Sequence, residues 1–199
     1  MIDLILGDFN EVANDFCNES FDLIYTDPPY SRQEATECFR MLAWHSYRLL
    51  KDGGSLVTIV PHYFLPEAIG IMNGSSLKYR WIYNMDQENG SHARMAMGIE
   101  VCWKPMLHYV KRAYPSGRGF LRDKVIISAP DKSLHEWQQS TDWAYYYIQK
   151  LTNPGDQVLD PFCGPATVPL VCNELNRNCT GVEKDEDVFT TGAERVALI

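Results

Sequence analysis

Seven short apolar runs, at residues 2–6, 21–25, 55–60, 80–84, 98–103, 157–160 and 178–183, alternate with longer stretches of helical spacing. That alternation constrains the fold more than any other feature of the chain. Several runs, FDLIY and SLVTIV among them, are near-continuous in apolar residues, and strands of that kind need cover on both faces. Helices are expected over 32–50, where Phe39, Leu42, Ala43, Leu49 and Leu50 recur at helical spacing, and over about 61–72. Two more are expected, over 141–151 ahead of the Asn153-Pro154-Gly155 stop and after Pro165. Strands alternating with helices predict an open α/β sheet of seven strands, mostly parallel, with helices on both faces. A chain of 199 residues, 45% hydrophobic, is expected to fold as a single domain, 1–199.

Four of the runs end in an acid: Asp8, Asp27, Asp160 and Glu183. Open α/β sheets bind ligands at the carboxyl ends of their strands, so these acids are expected along one edge as acceptors for a bound molecule. The run ending at Asp27 is the most unusual. In IYTDPPYS, Pro28 and Pro29 remove two backbone donors and stop the strand. A carboxylate, two rigid carbonyl-bearing residues and the Tyr30 ring are thereby displayed together.

Six cysteines form no CxxC pair and five histidines are scattered, so no metal is expected. The start, MIDLILGDFNEV, has no basic leader and no run is long enough for a bilayer; a cytoplasmic protein with reduced cysteines and no membrane partner is expected. The net charge of −8 argues against a polyanionic partner, but its distribution points the other way. Residues 104–132 hold seven basic and two acidic side chains, a balance of +5 among Tyr, Gly and Pro, and the remainder carries −13. A solvated loop is one reading of this segment, and an electrostatic footprint for nucleic acid is the other.

DQVLDPFCGPATVPL reads as strand, glycine turn and helix, an arrangement that presents backbone N–H groups and a helix N-terminus to a nucleotide. About twenty residues on, Glu183 ends the next strand at the spacing of an acid that holds ribose hydroxyls. With DPPY upstream, the chain resembles the DNA amino-methyltransferases that methylate adenine N6 or cytosine N4, in the order of their β class. LILGDF, RLLKDGGSLVTIV, HEWQQS and GVEKDEDVF are similar to further segments of that family, so the resemblance extends over nearly the whole chain.

The resemblance implies a Rossmann-like methyltransferase fold, S-adenosylmethionine as cofactor and DNA as partner. It implies Asp27, Pro28, Pro29 and Tyr30 as catalytic residues, with Asp27 and a proline carbonyl accepting the two amine hydrogens and Tyr30 stacking on an extruded base. It implies a cofactor site of Asp8, Phe9, His135, Gln138, Asp160, Pro161, Phe162, Gly164, Thr167 and Glu183. Tyr83 is then a second aromatic near the base or a core residue. A basic target-recognition insertion is expected at about 104–134, with Lys111, Arg112, Arg118, Arg122 and Lys124 facing the pocket and contacting phosphates. It is short for the family, which leaves room for a homodimer or a separate specificity partner. The chain departs from the family's FxGxG at Pro165 and Ala166, and Glu136, Gln139 and Ser140 stand where Pro, Lys and Pro are common. Adenine N6 methylation is the leading expectation; cytosine N4 methylation and a non-catalytic nucleic-acid-binding relative are the alternatives.

Overall fold

A computed structural model describes residues 1–87, 93–95, 98–117, 119–127 and 141–198. The first half holds β1 (Ile2–Leu6), α1 (Phe9–Val12), β2 (Phe21–Thr26), α2 (Arg32–Leu49), β3 (Leu50–Ile59), α3 (Leu65–Met72) and β4 (Lys78–Gln87). Next come β5 (Ala93–Met95), β6 (Ile99–Val101), β7 (Trp103–Val110) and β8 (Lys124–Ile127). The chain closes with α4 (Thr141–Leu151), β9 (Gln157–Asp160), α5 (Thr167–Glu174), β10 (Asn178–Glu183) and α6 (Glu186–Val196).

Among the described residues, eight strands form one sheet in the order β1-β10-β9-β2-β3-β7-β4-β8, and β5 pairs with β6 in a separate ribbon. Every neighbouring pair in the large sheet is parallel except those made by β7, which runs against both β3 and β4. The Rossmann-like α/β architecture read from the sequence is present, with eight strands rather than seven. The run expected over 98–103 is divided. Its start is the short β6, and the strand that enters the sheet is β7, which the sequence reading had assigned to the insertion. Lys104, Pro105 and His108 disguised it. Pro105 is tolerated because it lies opposite Val60, whose N–H it accepts one residue past the end of β3, so its missing donor interrupts no rung.

Strand β2 shows why the runs are apolar throughout. Leu23 and Tyr25 face the layer of α4 and α5, while Ile24 faces the layer of α2 and α3. On α2 the buried residues Ala35, Cys38, Phe39, Leu42, His45, Ser46 and Leu49 recur every three or four positions, and Ser31 caps the helix by accepting from the Glu34 N–H. On α4 the same spacing buries Trp143, Ala144, Tyr147, Ile148 and Leu151. No helix among the described residues is long and apolar enough to cross a membrane.

Beneath α4, a hydrogen-bonded tie crosses three strands inside the core. Ser55 Oγ on β3 lies 2.9 Å from His108 Nε2 on β7, and His108 Nδ1 lies 2.8 Å from the Tyr83 hydroxyl on β4. Burial pulls the His108 imidazole down to about 3, so the ring is neutral and supplies one donor and one acceptor. Tyr83 is 2% exposed and its ring packs 4.7 Å from that of Tyr147. Its place is therefore the core, and the expectation that it meets a base is corrected. Alternation along β4 identifies its face but not what covers that face.

Candidate active site

The sheet changes direction of growth between β2 and β9: from β2 the chain moves outward to β3, and from β9 it moves the opposite way to β10. Such a switch point opens a crevice at the carboxyl edge. β2 and β9 pair only at Leu23–Val158 and Ile24–Leu159, whereas β2 stays paired with β3 as far as Thr26–Thr58. A cleft of about 480 Å³ lies there, lined by Asp27, Pro28, Pro29 and Tyr30 on one side and Asp160, Phe162, Gly164, Thr167 and Glu183 on the other. A smaller cavity of about 60 Å³ adjoins it, with Asp8, Phe9, Pro161 and Lys184 in its wall; Pro29, Glu34, Phe162 and Glu183 border both. The described sequence-predicted residues of both sets thus line two adjoining cavities, with the four strand-end acids along a single edge. His135, Gln138 and Arg118 lie outside the described residues.

Burial governs the acids. Asp160 is 3% exposed, accepts from the Thr26 hydroxyl at 2.7 Å and the Phe162 N–H at 3.3 Å, and has no ion pair among the described residues. Burial, opposed by the Thr26 hydrogen bond, pushes its carboxyl up to about 7. Burial also raises the Asp27 carboxyl, opposed by the positive charge of Lys104 and a hydrogen bond from Tyr30. The Tyr30 hydroxyl reaches both Asp27 oxygens, at 2.8 and 3.0 Å, and Lys104 Nζ donates to that hydroxyl at 2.9 Å. The Tyr63 hydroxyl donates to the Tyr30 carbonyl and steadies the turn from α3's side.

Glu183 takes backbone donors on both oxygens, from Gly164 N–H and Asp185 N–H at 2.9 Å each, so its carboxylate is oriented at the junction of the two cavities. The loop from Phe162 to Ala166 sits tightly on the sheet because Gly181 has no Cβ; one there would come within 2.9 Å of Cys163 Sγ. Ala166, where the family pattern has glycine, adopts φ 64 and ψ 34. A non-glycine residue in that conformation costs roughly 1–2 kcal/mol. Asp8 caps α1 by accepting from the Asn10 N–H at 2.8 Å, and Phe9 meets Phe162 edge-on at 5.8 Å.

The basic residues are dispersed. Lys111 and Arg112 follow the C-terminus of the antiparallel β7 and so lie at the opposite edge from the cleft. Lys111 is 3% exposed, donating to Glu19 at 2.9 Å and the Leu50 carbonyl at 2.8 Å, and Arg112 pairs with Asp52 at 2.8 Å. The expectation that these two face the pocket is corrected: a charge count does not register burial or strand direction. Lys124 pairs with Asp86 at 2.6 Å on the outer flank of the sheet, and Arg122 is exposed nearby, with its backbone bonded to Tyr146 and Tyr147. The sequence reading missed Lys104 as a site residue, and also Trp143 and Ala144 in the cleft wall.

A family model described as DNA methylase, N6_N4_Mtase, matches residues 103–194. The Type II methyltransferase M.XycI of Xanthomonas campestris pv. cyanopsidis is 47% identical over 49 residues, 25% of this chain and 16% of that enzyme. The match to M.HpaI of Haemophilus parainfluenzae, at 22% identity, spans 89% of this chain and 68% of that enzyme. The crystal structure of an M1.HpyAVI–SAM complex superposes with a TM-score of 0.79 at 26% identity, covering 98% of this chain and all of that one.

Proposed function

We propose that this chain, which belongs to the DNA amino-methyltransferase family, transfers a methyl group from S-adenosylmethionine to the exocyclic N6 of adenine in DNA. The observation that carries this reading is the meeting of the Asp27–Tyr30 turn with the Phe162–Glu183 cavities at one switch point. The residues there suit the cofactor: an oriented Glu183 for ribose hydroxyls, a small cavity beside Phe9 and Phe162 for a flat ring, and a buried Asp160, without an ion pair among the described residues, for an ammonium group. When bound, the cofactor supplies a sulfonium methyl, so the C–S bond breaks with its electron pair passing to sulfur as the N–C bond forms.

The chain's own residues act on the amine. An exocyclic amine is a weak nucleophile because its lone pair is delocalised into the ring. Asp27 and the Pro28 carbonyl accept its two N–H hydrogens and hold the nitrogen towards tetrahedral geometry, with the lone pair aimed across the cleft. The proton lost after transfer leaves through the Asp27 carboxylate to water. This is positioning and electrostatics rather than strong-base chemistry. Each carboxylate oxygen has two lone pairs, so the Tyr30 hydroxyl on Asp27 leaves acceptor capacity for the amine. Asp27 itself favours adenine, since cytosine-N4 enzymes more often carry serine there.

Mass spectrometry of nucleosides from DNA incubated with the protein and labelled cofactor tests the reading. N6-methyladenine is expected, and Asp27→Ala should abolish it while leaving cofactor affinity within about twofold, because the carboxylate serves the amine. N4-methylcytosine would overturn the choice of base, and no incorporated methyl would overturn the activity.

A further inference from the structure

Among the described residues, the cation bonded to the Asp27–Tyr30 turn comes from a distant part of the chain. Lys104 is the second residue of β7, and antiparallel pairing brings the start of that strand to the carboxyl edge beside the end of β3. From there its ammonium reaches across to Tyr30, 2.9 Å from the hydroxyl and 4.8 Å from the ring centroid.

We infer that Lys104 is a positioning residue for methyl transfer: it fixes the Tyr30 hydroxyl, and through it the Asp27 carboxylate, in the arrangement that receives the target amine. The inference rests on the reading of Asp27 given under Proposed function.

The donors and acceptors of the three side chains fix the direction of the contacts. An ammonium group has donors and no acceptor, so Lys104 must donate to the Tyr30 oxygen. Tyr30 has a single hydroxyl proton, and with Lys104 on its oxygen that proton points at Asp27, where both carboxylate oxygens lie within reach. The carboxylate is held on the Tyr30 side, and its remaining lone pairs are presented to the cleft. Without the ammonium, the Tyr30 oxygen loses the donor that orients its O–H, and its hold on the Asp27 carboxylate loosens. The charge of Lys104 also opposes the effect of burial on Asp27, favouring the ionised form that accepts an N–H. The same cation lies within the distance at which an ammonium is attracted to an aromatic face, so it restrains the ring that is to stack on the base.

Single-turnover methyl transfer to unmethylated plasmid DNA, with cofactor affinity measured separately by calorimetry, tests this on the full chain. Lys104→Met keeps the apolar stem and removes the ammonium; it should slow the transfer step roughly 10- to 100-fold, the scale of a lost positioning contact, with the cofactor Kd unchanged within about twofold. Tyr30→Phe keeps the ring and should give a similar loss. The double variant should be no slower than the slower single variant, because both substitutions break one chain of contacts. Lys104→Arg should recover most of the rate. A wild-type rate in Lys104→Met, losses that multiply in the double variant, or a cofactor Kd that weakens in parallel with the rate would each overturn the inference. If the wild-type chain transfers methyl groups and Asp27→Ala does not, those results refute the role of Lys104 alone. If the wild-type chain transfers none, the reading of function fails, and the inference with it.

Discussion

Replacing Asp160 by Asn should change how stability depends on pH. Asp160 carries a buried carboxyl whose folded-state pKa is about 7, against an ordinary value of 3.8. Below pH 3.8 the group is protonated in both folded and unfolded chains and costs nothing. Between the two values the unfolded chain loses its proton while the folded one keeps it, so folding becomes less favourable as pH rises. Above about pH 7 both forms are ionised and the full loss is present. At 1.36 kcal/mol per pH unit over roughly three units, the loss amounts to about 4 kcal/mol. Asn cannot ionise, so the variant lacks this slope and keeps an oxygen for the Thr26 hydroxyl. Urea denaturation of both proteins without cofactor, from pH 5 to pH 8.5, gives the comparison. Wild type should lose up to about 1.4 kcal/mol per pH unit relative to Asp160→Asn until neutrality, then run parallel to it. The cofactor should show the reverse preference, binding Asp160→Asn more weakly by about 1.5–3 kcal/mol at pH 8 through the loss of a charged acceptor. A stability difference that stays constant across the pH range would refute the burial argument, whatever its sign.

Glu183→Ala should weaken cofactor binding by roughly 1.5–3 kcal/mol, because it removes a charged acceptor and frees the Gly164 and Asp185 amides that the carboxylate now orders; calorimetry reads it directly. Lys111→Met should destabilise the fold by about 1–3 kcal/mol in denaturant titration, since the Leu50 carbonyl loses its donor. The same variant should leave the salt dependence of DNA binding unchanged, whereas loss of a phosphate contact would lower that slope by ~0.9.

What the sequence displayed best was whatever is contiguous in it. The Asp27–Tyr30 turn, the Asp160–Thr167 turn and Glu183 each form a local unit of strand end, turn and next residue, so their types and spacing were enough to identify them. Helix α4 was equally plain, because its apolar spacing and its stop at Asn153-Pro154-Gly155 are both local. Lys104 was not legible: its role depends on β7 running antiparallel, and a lysine beside a proline gives no strand signal. Lys111 misled for a related reason. Its charge counts the same whether the ammonium meets solvent or, as here, Glu19 and a buried carbonyl. Tyr83 sits on an apolar strand where periodicity separates the two faces but cannot say that α4 has closed one of them.

The Ser55–His108–Tyr83 tie works as an alignment key for β7, the strand of the large sheet that, among the described residues, runs against both its neighbours. Residues 88–102 separate β7 from its neighbour β4, too long a connection to fix the register as a tight turn would, and a slip of two residues would keep every side chain on its own face. Hydrophobic burial therefore discriminates poorly between such registers. The tie does discriminate, because a slipped strand would strand a hydroxyl, an imidazole and a phenol inside the core at roughly 1–3 kcal/mol apiece. The same slip would carry Lys104 about 7 Å along the strand axis, well beyond its 2.9 Å contact with Tyr30. Three polar side chains buried in the core thus set the placement of a cation at the edge of the cleft.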